Sequence, residues 1–380
     1  MTSAFGFRPT VAEVDLDAIR HNTRALLPND AELMAVVKAN GYGHGAVPVA
    51  RAALEAGATW LGVALVEEGI ELRDAGIDAR ILVLTEFPPV SERDALACGL
   101  TPTLYTDAGL IRLSAAGAAR DALSHVRAHV KVDTGMHRVG VRPEDAVAFV
   151  RTAIERGYTV EGLWTHLATS EEVANPFTAE QLERFRRVIL QVEDAGLPRP
   201  RYLHAANTGG VLAGAAAHFD LVRVGIGLYG IAPGPDVAAR AAELCRPALT
   251  WRSRVAMTKR LPAGEPLSYG RRYRLERASI VATVPVGYAD GYSRLLGGNA
   301  SVLIGGRRMP VAGAVTMDHI LVDCGDVPVE PGDDVVLLGV QGRDRIAAEE
   351  VAGWMGTIGY EVVCRIGGRV PRIHIGGADA

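Results

Sequence analysis

Four cysteines in 380 residues, Cys98, Cys245, Cys324 and Cys364, stand far apart and form no CxxC pair. That spacing argues against a disulfide framework and against a zinc site, and it predicts reduced thiols in a cytoplasmic protein without a metal. An excess of one charge is also missing. Forty basic against 44 acidic residues leave a formal charge of −4, so nothing calls for nucleic acid or an anionic membrane as partner. No apolar run approaches the ~18 residues of a membrane-spanning helix. The opening MTSAFGFRPTVAEVDLDAIR has no basic stretch followed by an apolar one, so no secretion signal is expected. What remains is 48% apolar and 22% charged, a composition that supports a core of usual size. At roughly 150 residues per domain, the length predicts two domains.

Short β-branched runs alternate with helical stretches over the first 235 or so residues. Strands are expected near 33–38, 60–65, 81–84, 101–105, 126–133, 160–166, 201–206 and 220–225, with helices between them, for example 143–157 and 178–196. In the last of these, Leu182, Phe185, Ile189 and Val192 recur at three- and four-residue steps and share one face. Eight such units predict an α/β fold, a closed (β/α)8 TIM-type barrel. An open doubly wound sheet is the competing layout, but no GxGxxG follows the first strand. After about residue 240, strand-like runs are closed by Gly, Pro and Asp, with Gly305-Gly306 as a hairpin turn and one helix at 347–356. The expected organisation is a barrel over 1–238 and a C-terminal mostly-β domain over 239–380. The junction lies near IAPGPD (231–236), and the strand-like segment 11–16 joins the β-domain.

Barrel active sites lie at the carboxyl ends of the strands. The unusual polar residues cluster there: Lys38, Lys131 and Asp133, His166, Asn207 and Thr208, and Arg223 just before Gly225-Ile226-Gly227. A lysine ending an apolar strand in a partly desolvated space is a nucleophile able to form a Schiff base, although a strand-end lysine also simply reaches water. Three glycines in five positions after Lys38 let the backbone turn sharply. The segments 207–210 and 224–227 follow the seventh and eighth strands, where barrels commonly hold phosphate, though such turns are often only turns. Together with Lys38 they suggest a phosphorylated aldehyde cofactor, pyridoxal phosphate. Arg223 cannot surrender its proton at neutral pH. It would donate to an unprotonated ring nitrogen and leave a weaker electron sink, or else pair with Asp220.

Taken in order, AVVKANGYGHG (35–45), KVDTGMHRVG (131–140), HAANTGG (204–210), VRVGIGLYG (222–230), SYGRRY (268–273), VGYADGYSR (286–294) and VTMDH (315–319) resemble the alanine racemase family over nearly the whole chain. The resemblance implies interconversion of L- and D-alanine, which supplies D-alanine for peptidoglycan. It implies Lys38 as cofactor-bearing lysine and one base, and Tyr269 as the opposite base. In it, His166 and Arg138 favour the Tyr269 phenolate through positive charge and hydrogen bonds, and Lys131 is a lysine commonly carbamylated to orient Arg138. The lysine otherwise pairs with a carboxylate such as Asp133. Tyr42, Asn207, Thr208, Gly225, Ile226 and Tyr360 match cofactor ligands, chiefly of the phosphate. Met317 matches a residue whose backbone binds the substrate carboxylate, and Tyr288 with Tyr360 narrows the entrance. The implied assembly is a homodimer in which Tyr269 and Met317 complete the neighbouring site.

The chain departs from the family pattern at Ala314, where an arginine is usual, at Thr316, where cysteine is usual, and at Thr208, where serine is commoner. Ala314 keeps a broader amino-acid or serine racemase open. A related barrel decarboxylase and a non-catalytic pyridoxal phosphate carrier are the further alternatives, and the carrier lacks a second domain.

Overall fold

The protein is described here by a computed structural model covering residues 8–118 and 126–377. The first seven residues of the stretch read for a secretion signal lie outside the described residues. Contacts divide the chain into two units. One comprises Ile19–Gly41 and Ala46–Arg246; the other comprises the stretch up to Ala18, Tyr42–Gly45 and the chain from Pro247 onward.

The first strand, β1 (Val11–Asp15), belongs to the second unit. The barrel strands are β2 (Glu32–Val36), β3 (Trp60–Val63), β4 (Arg80–Val83), β5 (Thr103–Leu104), β6 (Arg127–Lys131), β7 (Thr159–Trp164), β8 (Tyr202–His204) and β9 (Leu221–Val224). Each sits within or one residue from an expected run. They read as near-continuous apolar stretches because a parallel strand under helices is buried on both faces. Two four-stranded parallel sets, β4-β3-β2-β9 and β5-β6-β7-β8, are joined at both seams. At one seam Thr101 N–H donates to Ile81 O (2.8 Å) and Val83 N–H to Thr101 O (3.0 Å). At the other Asp220 N–H donates to Leu203 O and Arg223 N–H to Ala206 O, both at 3.0 Å. The sheet therefore closes into an eight-stranded barrel, and the open alternative is excluded.

The helix Phe177–Asp194 buries the apolar side chains of Leu182, Phe185, Val188, Ile189 and Val192, the expected face with Val188 added, and polar Gln181 is buried beside them. Each such apolar side chain taken from water contributes about 1.5–3 kcal/mol. A last helix, Ala238–Leu244, stays with the barrel: Asn22 Nδ2 donates to Leu228 O and Arg246 O, each at 2.8 Å, and Asn22 Oδ1 accepts from Arg246 N–H at 2.7 Å.

In the second unit the strands are β10 (Leu249–Arg254), β11 (Met257–Leu261), β12 (Pro266–Leu267), β13 (Tyr273–Arg274), β14 (Ser279–Val284), β15 (Ser301–Ile304), β16 (Arg307–Pro310), β17 (Ile320–Asp323), β18 (Asp334–Gln341), β19 (Asp344–Ile346) and β20 (Arg372–Ile375). A seven-stranded sheet runs β16-β15-β18-β10-β1-β20, with β19 on β18. In it β1 pairs antiparallel to β10 and parallel to β20. Gly305 and Gly306, at φ 58° and 72°, make the two-residue turn between β15 and β16, the left-handed pair that a hairpin of this length needs. The helix Ala348–Met355 ends on left-handed Gly356. A second helix, Gly359–Cys364, is absent from the sequence reading. It is too short to show a period, and Val362-Val363 disguises it as strand. Among the described residues no helix is long and apolar enough to cross a membrane.

Candidate active site

The chain leaves β2 through a left-handed turn. Ala39, Asn40, Gly41 and Tyr42 all have φ between 51° and 61°, and Gly43 follows at 83°. For residues with a Cβ this costs about 1–2 kcal/mol each, so the turn is held from outside. Asn40 Oδ1 accepts from Ala46 N–H at 2.9 Å. Glu68 Oε1 accepts from Ala39 N–H at 2.6 Å, while its Oε2 accepts from Ala64 and Leu65 N–H. Half-buried Lys38 is thereby fixed at the carboxyl end of its strand. Gly43 is obligatory for packing as well: a Cβ there would lie 2.4 Å from Val363 O.

Lys131 ends β6 and is buried, its Nζ 4.4 Å from the centre of the Trp164 ring. Burial lowers its pKa to about 7, helped by Arg138, Arg223 and Lys38 and opposed by Asp133. The alternative of a simple Lys131–Asp133 pair is not what forms. Asp133 Oδ1 accepts from Gly135 N–H (3.0 Å) and His137 N–H (2.9 Å), and Oδ2 faces the His137 ring. Arg138 is exposed at the same mouth and makes no ion pair among the described residues.

Arg223 does not pair with Asp220, which is engaged by Arg199 and by Leu203 N–H. Its guanidinium is buried and donates through Nη2 to Thr165 O (2.8 Å) and Ala205 O (2.9 Å) and through Nη1 to His204 Nδ1 (2.9 Å), and His166 Nδ1 lies 3.4 Å from Nη2. Its Nε donates to no protein acceptor among the described residues. Burial pulls its pKa to about 9, so it remains a cation at neutral pH. The positive charge expected of His166 is absent. Burial first, then Arg223, Lys131, Arg138 and Lys38, hold its pKa well below 6.5.

After β8, Asn207 caps the helix Thr208–Ala213, its Oδ1 accepting from Gly210 N–H (3.0 Å) and from Ser170 Oγ (2.6 Å). Thr208 Oγ1 accepts from Gly225 N–H (3.1 Å) and Gly227 N–H (3.4 Å). Those bonds tie the turn after β8 to Ile226 and the turn after β9 and leave the hydroxyl proton as a donor. Lys131, Arg138 and Arg223 thus meet at one barrel mouth beside Lys38, with no carboxylate paired to any of the three among the described residues. Such a donor set suits an anionic ligand carrying a phosphate and an acceptor nitrogen.

The second unit carries the other expected residues. Tyr42 and Tyr360 have ring centres 6.1 Å apart. Tyr269 is 76% exposed on a turn held open by positive φ at Ser268 (59°), Gly270 (75°) and Arg271 (50°), and Ser268 Oγ donates to Ala314 O at 2.7 Å. Met317 O accepts from Ala289 N–H (3.1 Å) and Thr316 O from Tyr288 N–H (3.0 Å), which joins the two loops that bear Met317 and Tyr288. Both side chains are exposed, and Met317 N–H donates to nothing among the described residues.

Residues 14–233 match the alanine racemase N-terminal domain and residues 248–374 the alanine racemase C-terminal domain. The chain belongs to the alanine racemase family. It is 49% identical over 375 residues to an alanine racemase of Symbiobacterium thermophilum, covering 98% of each chain. Its structure is similar to that of the alanine racemase from D-cycloserine-producing Streptomyces lavendulae, with a TM-score of 0.93, 41% identity and coverage of 98% and 99%. It is also similar to an alanine racemase from Bartonella henselae with covalently bound pyridoxal phosphate, with a TM-score of 0.87, 30% identity and coverage of 97% and 99%. The family assignment was legible in the motifs. His129, Trp164 and His204, which pack behind Lys131 and Arg223, were not singled out. The signal was there: His129 and Lys131 are two apart on one strand and share its inner face.

Proposed function

We propose that the protein is a cytoplasmic, homodimeric pyridoxal phosphate-dependent racemase that interconverts L- and D-alanine and supplies D-alanine for peptidoglycan. The observation that carries this is the barrel mouth, where cations without carboxylate partners stand beside Lys38 and the Thr208 hydroxyl. These residues fit the cofactor: Lys38 for its aldehyde, Arg223 Nε for its ring nitrogen, and Thr208, Gly225 and Ile226 for its phosphate, with Asn207 shaping the turn. Tyr42 and Tyr360 share the phosphate role in this reading. Pyridoxal phosphate supplies electron withdrawal from the α-carbon of an amino acid joined to it, so that the α-hydrogen leaves as a proton.

Lys38 Nζ takes or returns that proton on one face, and the Tyr269 hydroxyl of the neighbouring subunit does so on the other. Both bases have ordinary pKa values near 10, so both need surroundings that favour the unprotonated form. For Tyr269 that potential comes from Arg138 and Arg223, because His166 is neutral. Arg223 keeps its proton, which leaves the ring nitrogen unprotonated and disfavours transamination. Lys131, with an amine near half neutral at pH 7, carries a carbamate that orients Arg138 toward the substrate carboxylate. The Met317 N–H of the neighbouring subunit binds the same carboxylate, and Tyr288 with Tyr360 restricts the side chain.

A broader racemase is the second reading. It is favoured by the cleft that Tyr269 lines with Arg272, Arg294 and Ala314, where the last presents only a methyl. The match to both family domains counts against a carrier or a decarboxylase. Purified protein is expected to show the absorbance of a lysine-bound pyridoxal and to convert L-alanine to D-alanine. A panel including serine separates the two readings, and cofactor-loaded protein that racemises no amino acid refutes both.

A further inference from the structure

Behind Arg223, the barrel interior holds two histidines that the mechanism above does not use. The pairing of β6 with β7 slips between Ala128 and His129, so that Ala128 opposes Val160 while His129 opposes Gly162. The slip and the glycine make room for one ring. A Cβ at Gly162 would lie 2.3 Å from His129 Nδ1 and 2.4 Å from its Cγ. In that space the fully buried His129 ring lies edge-on to Trp60 (5.1 Å between centres) and stacked on Tyr202 (6.1 Å). Its Nδ1 is 2.9 Å from His204 Nε2, and His204 Nδ1 is 2.9 Å from Arg223 Nη1. The His204 ring lies flat against Trp164, 5.4 Å between centres and 7° between planes.

This chain of contacts has one consistent arrangement of protons. Arginine only donates, so His204 Nδ1 is bare and its proton sits on Nε2. That N–H donates to His129 Nδ1, which is bare in turn, so the His129 proton sits on Nε2. The last nitrogen is buried and has no partner among the described residues, an arrangement that costs about 1–3 kcal/mol. Burial first, and then the charged groups around His129, Arg223 and Arg80, the latter 5.3 Å from the Trp60 ring centre, disfavour a second proton on it. A ring kept at that cost, in a space cleared by a glycine and a register slip, is there for its Nδ1 acceptor.

We propose that His129 is a positioning residue for the cofactor site: by accepting the His204 Nε2 proton it holds, together with the Arg223 donor on the other side, His204 in one tautomer and ring orientation, and through that ring it holds the orientation in which Arg223 turns Nε–H to the barrel mouth. No proton moves along the chain. The inference rests on the reading that Arg223 faces the cofactor ring, and the experiment separates the two. Full-length, cofactor-loaded protein carrying 15N-labelled histidine is compared with His129→Phe and with His129→Gln, whose side-chain carbonyl keeps an acceptor near Nδ1. In the wild type, His204 and His129 are each expected with Nε2 protonated and Nδ1 bare. In His129→Phe, His204 loses this single-tautomer signature, cofactor binding weakens by about fivefold, as the loss of one net hydrogen bond implies, and transamination per turnover rises. His129→Gln restores the His204 signature. A proton on Nδ1 of His204 in the wild type overturns the proposal even if the Phe variant does not fold, and so does an unchanged His204 signature in a folded His129→Phe. A changed His204 tautomer with unaltered cofactor affinity and side reaction overturns the coupling to the mouth, and with it the placement of Arg223 on the cofactor, while leaving the histidine chain itself intact.

Discussion

Removing dissolved carbon dioxide is expected to lower the activity of this protein reversibly, through Lys131. The ammonium of that side chain is pulled to about 7 by burial first and then by Arg138 and Arg223. At pH 7 an ordinary lysine is neutral in only about 3 molecules in 10,000, whereas one with a pKa near 7 is neutral in about half. The reactive amine is therefore enriched by roughly three orders of magnitude. In the proposed carbamylation the neutral amine forms an N–C bond to carbon dioxide and releases one proton; counted from the ammonium two protons leave, so that a cation among cations would become an anion that Arg138 can meet. The same shift is a statement about stability. The folded pKa lies below the unfolded one, so between about 7 and 10.5 the unfolded chain binds more protons. Below 7 the unmodified protein bears the whole penalty, of order 5 kcal/mol for a shift of this size, and the penalty fades as pH rises to 10.5. Lys131→Met is accordingly expected to be more stable than unmodified protein at pH 6.5 in carbon dioxide-free buffer, and to converge with it by about pH 10. Carbon-13 bicarbonate should give a carbamate signal that the variant lacks, and activity should return on adding bicarbonate. Absence of that signal between pH 7 and 9, with activity indifferent to bicarbonate and parallel stability–pH curves, refutes the reasoning.

Gly43→Ala combines a φ of 83° with a Cβ 2.4 Å from the Val363 carbonyl oxygen, which is backbone and cannot turn aside. Thermal unfolding should show a loss of at least about 2 kcal/mol. Asp290 has an inaccessible side chain that accepts from Arg8 Nη1 (2.8 Å), Arg8 Nη2 (2.9 Å) and Gly287 N–H (3.0 Å). Burial raises its pKa, but those bonds and the charges of Arg8 and Arg369 outweigh it, and the net shift is downward. Its stabilisation is therefore present above the ordinary carboxyl pKa and lost as pH falls through the folded one. Asp290→Asn should cost about 3 kcal/mol at pH 7, the scale for a broken buried pair, and calorimetry in acid should show the gap to wild type closing. It should also raise KM for alanine more than it lowers kcat, because Gly287 opens the turn whose Tyr288 and Ala289 N–H groups hold the Met317 loop.

The barrel was legible because buried parallel strands leave a period that helices interrupt, and five of the eight expected runs contain their strands while the other three strands start one residue early. Lys38, Lys131, His166, Asn207 and Arg223 were legible because a barrel brings its strand ends together. Other features needed coordinates. Whether Arg223 would meet Asp220 depended on which way one strand faces, and Arg199 occupies Asp220 instead. The charge of His166 depended on its burial and then on four cations gathering around it, which spacing along the chain does not reveal. The His129–His204 pair arises from a register slip opposite Gly162, a relation between two strands. The left-handed run through Ala39, Asn40 and Tyr42 is hidden because none of the three is glycine.

The central claim is that Lys38 and Tyr269 act on opposite faces of one carbon. It is tested most directly by α-deuterium incorporation in heavy water, measured separately from L- and D-alanine with cofactor-loaded Tyr269→Ala. One enantiomer should exchange while the other stays protonated and racemisation is lost. Equal exchange from both enantiomers would contradict the account.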